Sequence, residues 1–383
     1  MIRFETAESI TMGHPDKLCD YIADCILDAY LEKDKNSRVA CEVVASKNLV
    51  LITGEITSTA KVNIEQIARK AITEIGYSED YLGFNGNNCE IEIRLTEQSL
   101  DIDKGVSQEE ELGAGDQGIM IGYACSETKN KMPASIFYAS LLSKRLTEIR
   151  KNKEVSFLRP DGKTQVTIEY IDNIPKRIDT IIVSCQHEPF TNEKELKEII
   201  KKEVIYKVIP KELLDDSTKI EINPTGRFVL GGPMADSGLT GRKIIVDTYG
   251  PQIGHGGGAF SGKDPTKVDR TAAYYARYVA KNIVASNLAT KCRVEISYAI
   301  GKKEKISLNI DTYQTGIIED EKIKNIVEKV FDFTPKNMIE ELNLRNIKYS
   351  KFTNFGHLGR EDLQLPWEKE DKVEEIQEIY RKG

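Results

Sequence analysis

The sequence predicts an α+β protein made of three similar β-α-β-β-α-β units. Three observations carry that expectation. Pro15, Pro133 and Pro265 each follow a loop and precede apolar residues at helical spacing. Proline suits a first helical turn, because the N–H it lacks would have no partner there. Each of these helices is followed by two strand-like runs and then a second helical stretch. The order recurs along 383 residues, a length that accommodates two or three domains.

After Pro15, the residues Leu18, Ile22, Cys25, Ile26 and Ala29 form one helical stripe. Strands are expected at 39–45 and 49–56, then a helix at 63–75. After Pro133 the stripe is Ile136, Ala139, Leu142, Leu146 and Ile149, with strands at 165–171 and 179–185 and a helix at 193–206. After Pro265 it is Ala272, Ala276, Val279, Ala280, Ile283 and Val284, with strands at 293–300 and 305–311 and a helix at 319–330. Alternating runs at 90–95 and 219–222 would close the first two units. The charged stretch 368–383 reads as a surface helix. Ordinary α+β alternation gives a similar order, and no residue-level repeat is visible, so the three-unit reading rests on order and spacing alone.

Hydrophobic residues at 40% and charged residues at 30% support a packed core. With 54 Lys+Arg against 61 Asp+Glu the net charge is -7, so no global basic field for nucleic acid exists. The seven cysteines form no CxxC pair and no metal-ligand rhythm, which suggests reduced thiols. The start of the chain, Met1-Ile2-Arg3-Phe4-Glu5, lacks a basic-then-apolar signal pattern. No apolar run reaches membrane-spanning length, and the longest candidate helix carries Arg277 and Lys281. A soluble cytoplasmic protein is expected.

Four stretches carry chemistry. Gly13-His14-Pro15-Asp16-Lys17 opens a helix; free N–H groups and the helix dipole there favour an anion, with His14 near it and Asp16 able to hold Mg²⁺. Plain helix capping explains the same residues. Gly113-Ala114-Gly115-Asp116-Gln117-Gly118 allows close backbone approach to a ligand, or an ordinary turn before a strand at 119–123. The third stretch runs from Asn223 through Arg227, Phe228, Asp236, Arg242 and Lys243; Phe228 is placed either to stack on a base or to fill core. The fourth, His255 to Pro265, contains Gly257–Lys263, which fits the first seven positions of a P-loop after a strand-like run at 243–248. Its eighth position is Asp264 rather than Ser or Thr, and Asp264-Pro265 reads as a helix cap with Lys267 and Asp269 on the first turn. With Lys163 the stretches supply five cations for a polyphosphate: Lys163, Arg242, Lys243, Lys263 and Lys267. The polar, acidic segment 98–112 has no periodicity and reads as a lid or a linker.

At these stretches the chain resembles the S-adenosylmethionine synthetase family in its bacterial form. Gly13–Lys17, Gly113–Gly118, Gly256–Pro265 and the intervening PTGRFVLGGPMADSGLTGRKIIVDTYG carry the likeness, which covers nearly the whole chain. The resemblance implies synthesis of S-adenosylmethionine from ATP and L-methionine by in-line attack of sulfur on C5′, followed by hydrolysis of tripolyphosphate to phosphate and diphosphate. It implies domains at 2–100, 112–229 and 231–370 related by a pseudo-threefold axis, with 98–108 as a mobile active-site loop. His14, Lys163, Arg242, Lys243, Lys263 and Lys267 would be catalytic. ATP would meet His14, Asp161, Gly162 (alanine in the family), Lys163, Arg227, Phe228, Asp236, Arg242, Lys243, Ala259 and Lys263. Methionine would meet Glu55, Gln98, Asp116, Asp236 and Lys267. Asp16 and Asp269 would hold two Mg²⁺ per site, and Glu42 one K⁺ per subunit. A homodimer is the minimum assembly implied, with a homotetramer as a dimer of dimers. The rival reading is a P-loop kinase or NTPase, against which Asp264 argues.

Overall fold

A computed structural model describes residues 1–97 and 112–382. The first unit runs β1 (Ile2–Ile10), α1 (Pro15–Lys33), β2 (Arg38–Ser46), β3 (Leu49–Thr57), α2 (Ile64–Ile75) and β4 (Glu90–Thr96). The second runs β5 (Gly118–Cys125), α3 (Ala134–Lys151), β6 (Leu158–Ile171), β7 (Ile174–His187), α4 (Glu193–Ile200) and β8 (Lys219–Ile222). The third runs β9 (Gly238–Leu239), α5 (Val268–Ala285), β10 (Lys291–Tyr298), β11 (Ser307–Asp311) and α6 (Asp320–Val330). Among the described residues no strand closes this last unit. Two further helices follow, α7 (Pro335–Glu341) and α8 (Val373–Lys382).

The strands form three sheets, ordered β1-β6-β7-β8, β11-β10-β5 and β4-β3-β2-β9. The opening strand of each unit therefore leaves it. β1 pairs antiparallel with β6 from Ile2↔Ile171 to Ile10↔Lys163, β5 with β10, and β9 with β2. The exchange is cyclic: first unit to second sheet, second to third, third to first. Each long helix packs across the join so made, α1 on β9 and β2, α3 on β1 and β6, α5 on β5 and β10. One apolar core joins residues of the first and last thirds, and a second lies around β6, β7, α3 and α4.

The prolines act at different depths. Pro15 is in the first turn of α1, Pro133 is the N-cap of α3, and Pro265 precedes α5, whose N-cap is Lys267. The expected cap pair Asp264-Pro265 lies one turn ahead of the helix: Asp264 Oδ1 accepts from the Thr266 N–H in a local turn and its Oδ2 from the Val39 N–H. The expected strand at 243–248 is instead a single helical turn, Ile244–Asp247. Its apolar run is short, and burial alone does not distinguish strand from helix. The helix expected at 193–206 continues from α4 through a π-turn at Lys201–Ile205. All seven cysteines are free thiols, and no described helix is long and apolar enough to cross a membrane.

Candidate active site

β1 ends at Ile10 opposite Lys163. The chain then turns at Thr11, whose N–H bonds to the Gly162 carbonyl at 3.0 Å and whose Oγ1 donates to the Pro160 carbonyl at 2.8 Å. His14 caps α1, its Nδ1 accepting from the Asp16 N–H at 3.2 Å. Asp16 is buried and its Oδ1 accepts from the Leu239 N–H at 3.0 Å, which ties β9 to the first turn of α1. Lys243 Nζ then lies 3.5 Å from Oδ2 of Asp16 and Arg242 Nε 3.7 Å from its Oδ1. The His14 imidazole is pushed down to about 3, first by burial and then by Lys243, Lys163, Lys17 and Arg242. A neutral ring ringed by cations, at a helix N-terminus, marks a place where an anion is stabilised. A cleft of about 400 Å³ opens beside Arg242 and Lys243, walled also by Thr6, Glu8 and Gln165.

Asp161 and the strip 227–236 form the adjoining wall. Asp161 Oδ2 accepts from the Gly232 N–H at 2.8 Å, and its own N–H bonds to Gln186 Oε1 at 3.1 Å. Burial above all pushes the Asp161 carboxyl up to about 6, against the N–H bonds from Gly232 and Gly162. Gln186 also donates to the Val229 carbonyl at 3.0 Å. Phe228 is held through its backbone, its N–H on His187 Nε2 at 3.0 Å and its carbonyl on the His187 N–H at 2.9 Å. Arg227 and Asp236 are exposed.

A second group of predicted residues gathers on the glycine-rich loop before α5. Lys263 Nζ meets Asp269 Oδ2 at 2.6 Å, and Lys267 Nζ lies 3.7 Å from Asp264. Gly258 packs so closely on Asp269 that a side chain there would overlap the carboxylate. Glu42 on β2 titrates above the ordinary carboxylate range, through burial first, with Lys263 opposing and Asp20 and Glu55 adding to the rise. Glu55 and Asp116 are exposed, the latter capping the Gln117 N–H at 2.7 Å. Ala259 sits against Gly241. Gln98 and the loop 98–108 lie outside the described residues.

The structure thus yields two carboxylate-and-cation sets: Asp16 with Arg242, Lys243 and His14, beside which Lys163 pairs with Glu8 at 3.5 Å, and Asp269 with Lys263. Among the described residues no hydrogen bond or ion pair joins them. No described cluster of three or more His, Cys, Asp or Glu side chains could cage a metal alone. Single carboxylates beside cations instead suit Mg²⁺, which takes one or two carboxylates and completes its shell with phosphate and water. Sequence reasoning passed over the support beneath the site. Lys17 is buried between Asp20, at 2.8 Å, and Asp247. Burial opposes its charge, yet the two carboxylates hold it above the ordinary lysine value. Gln186 was missed because a lone glutamine in a strand carries no motif.

Comparison with known proteins bears directly on this geometry. The family description "S-adenosylmethionine synthetase, N-terminal domain" matches residues 3–100, the central domain 111–228 and the C-terminal domain 230–369. The chain is similar to the S-adenosylmethionine synthase of Clostridium tetani, 52% identical over 99% of this chain and 100% of the relative. It is 53% identical to that of Syntrophobacter fumaroxidans, over 98% of this chain and 97% of the relative. With that of Finegoldia magna it shares 51%, over 97% and 98%.

Proposed function

The chain belongs to the S-adenosylmethionine synthetase family and makes S-adenosylmethionine from ATP and L-methionine, as a methionine adenosyltransferase; we propose that the cations gathered at His14 and at Lys263 bind the triphosphate that the reaction expels. The observation that carries this reading is the convergence of Arg242, Lys243 and Lys163 on His14 at the N-terminus of α1.

The thioether of methionine carries no proton, so its in-line attack on C5′ needs no base. What must be stabilised is a leaving group with several negative charges, a task for preorganised cations and dipoles. Lys163, Arg242, Lys243, Lys263 and Lys267 fill that role, and His14 contacts the phosphate chain near the bond that breaks. Neutral at physiological pH, with Nδ1 accepting from the Asp16 N–H, His14 donates a hydrogen bond from Nε2 there without adding charge. Asp161, Gly162, Arg227, Phe228, Asp236 and Ala259 line the nucleotide. Glu55, Gln98, Asp116, Asp236 and Lys267 orient methionine. Asp16 and Asp269 would hold two Mg²⁺ per site, which would supply charge neutralisation of the leaving group. Glu42 with backbone carbonyls is assigned one potassium ion. The same cations serve hydrolysis of the tripolyphosphate to phosphate and diphosphate.

The lack of any hydrogen bond or ion pair between the two sets among the described residues suits an active site completed between subunits, hence a homodimer at least and a dimer of dimers as the full assembly. The cyclic strand exchange supports a pseudo-threefold axis relating three domains. Seven free thiols suit the cytoplasm. A P-loop kinase is disfavoured: Asp264, at the metal-binding position of that motif, is fully buried and occupied by backbone N–H groups, and the run at 244–247 before the loop is a helical turn rather than a strand.

Incubation with ATP, L-methionine, Mg²⁺ and K⁺, followed by chromatography with mass detection, tests the reading. S-adenosylmethionine with phosphate and diphosphate and no ADP is expected. ADP with untouched methionine would return the case to a kinase.

A further inference from the structure

α1 carries an aspartate at every fourth position, Asp16, Asp20, Asp24 and Asp28. That spacing puts all four on one helix face. All are buried, and each accepts backbone N–H groups from the part of the chain between Leu239 and Ser350. Asp20 Oδ1 takes the Gly241 N–H at 2.9 Å and Asp24 Oδ1 the Gly262 N–H at 2.9 Å. Asp28 takes those of Tyr349 and Ser350 at 2.7 and 3.0 Å. The two middle rungs share a further feature. Gly241 and Gly262 both have left-handed backbone, with φ of 79° and 78°, and each stands immediately before phosphate-binding cations, Arg242-Lys243 and Lys263.

We propose that Asp20 and Asp24 are positioning residues for the adenosyl transfer, each anchoring one cation-bearing loop on α1; this rests on the reading of Arg242, Lys243 and Lys263 as phosphate ligands. Neither aspartate touches substrate, since both are fully buried. Their second oxygens are occupied as well: Lys17 bonds Asp20 Oδ2 at 2.8 Å, and Arg270 and Thr353 bond Asp24 Oδ2 at 2.9 and 2.7 Å. Arg270 also donates to the Lys263 carbonyl at 3.1 Å, a second hold on the same loop. A carboxylate fixed on one side by a cation or hydroxyl and on the other by a glycine N–H leaves the loop little freedom. Because the helix is rigid, it fixes the loop carrying Arg242 and Lys243 and the loop carrying Lys263, each against the phosphate chain that it meets. Misplacement by about 1 Å is enough to cost about 100-fold in rate.

Asp20→Ala is the informative variant, because Lys17 keeps Asp247 as partner and no buried charge is stranded. Tripolyphosphate affinity by calorimetry, kcat, KM for ATP and thermal midpoint are to be measured beside Asp20→Asn, Asp28→Ala and Lys243→Ala. Asp20→Ala is expected to weaken tripolyphosphate binding and lower kcat by about 10- to 100-fold. Asp20→Asn, which retains an acceptor for the Gly241 N–H, should restore most of both. Asp28→Ala should lower the midpoint alone. If Asp20→Ala matched Asp28→Ala, melting earlier with affinity and kcat intact, the positioning role would be overturned. If Lys243→Ala itself left tripolyphosphate binding unchanged, the phosphate reading would fail first. Should Asp20→Ala not fold, Gly241→Ala displaces the same loop with the ladder whole, its new Cβ falling 2.6 Å from that of Ala259. Wild-type affinity and kcat in that variant would equally sink the proposal.

Discussion

His14 combines two roles that sequence reading weighed as alternatives. It caps α1 through Nδ1 and it sits among Lys163, Arg242 and Lys243. Capping fixes the ring; the cations make the place fit for phosphate. Its folded-state value of about 3 lies below the ordinary 6.5, so the unfolded chain binds a proton in that interval that the folded chain does not. Its contribution is therefore present above pH 6.5 and is lost as pH falls toward 3. His14→Asn, which keeps a cap, should soften acid destabilisation between those limits by up to about 5 kcal/mol, read from denaturant midpoints across pH. An unchanged acid limb would refute the assignment. Lys263→Ala should cut synthesis by about 100-fold or more while moving the melting midpoint little, since its partly exposed pair with Asp269 is worth under about 1 kcal/mol. Normal turnover would remove Lys263 from the site. Both residues were legible because glycine, proline and charge cluster around them. Gln186 and Lys17 were not, because their partners lie far off in sequence.

Among the elements, α5 shows what periodicity reveals and what it omits. The stripe Ala272, Ala276, Val279, Ala280, Ile283 and Val284 is buried as its spacing predicts. Arg277 and Lys281 are buried too, which no polarity argument foretells. The Arg277 guanidinium bonds the Tyr123, Asn130 and Lys131 carbonyls and the Glu368 carboxylate, so its charge is paired and every donor direction used. α5 also presses on β5 at Gly122, where a methyl group would overlap the backbone of Ala276. Gly122→Ala should cost about 3 kcal/mol by forcing helix and strand apart, measured by chemical denaturation; a loss below about 0.5 kcal/mol would show that the helix yields freely. The run after Lys243 misled because three apolar residues suit a buried turn as well as a strand.

At the scale of the whole molecule, the three units are interdependent through their exchanged strands. A chain ending after β4 would keep β1 without β6 and β2 without β9. It would also split the core shared by the first and last thirds. Residues 1–100 expressed alone should therefore lack dispersed amide resonances and a cooperative melt, although a family domain description matches 3–100; a sharp two-state transition would show the exchange to be dispensable. Most of the order of helices and strands, the glycine-rich loops and the cations were legible in the sequence, because propensity, turn chemistry and motif spacing are local. Only the tertiary structure decided that β1, β5 and β9 leave their own units, that α5 starts beyond Pro265, and that Asp264 serves the backbone. Strand pairing and carboxylate partners are chosen by the burial and hydrogen bonding of residues hundreds of positions apart, such as Asp24 and Arg270, and no local pattern records which of several equivalent edges or donors will be met.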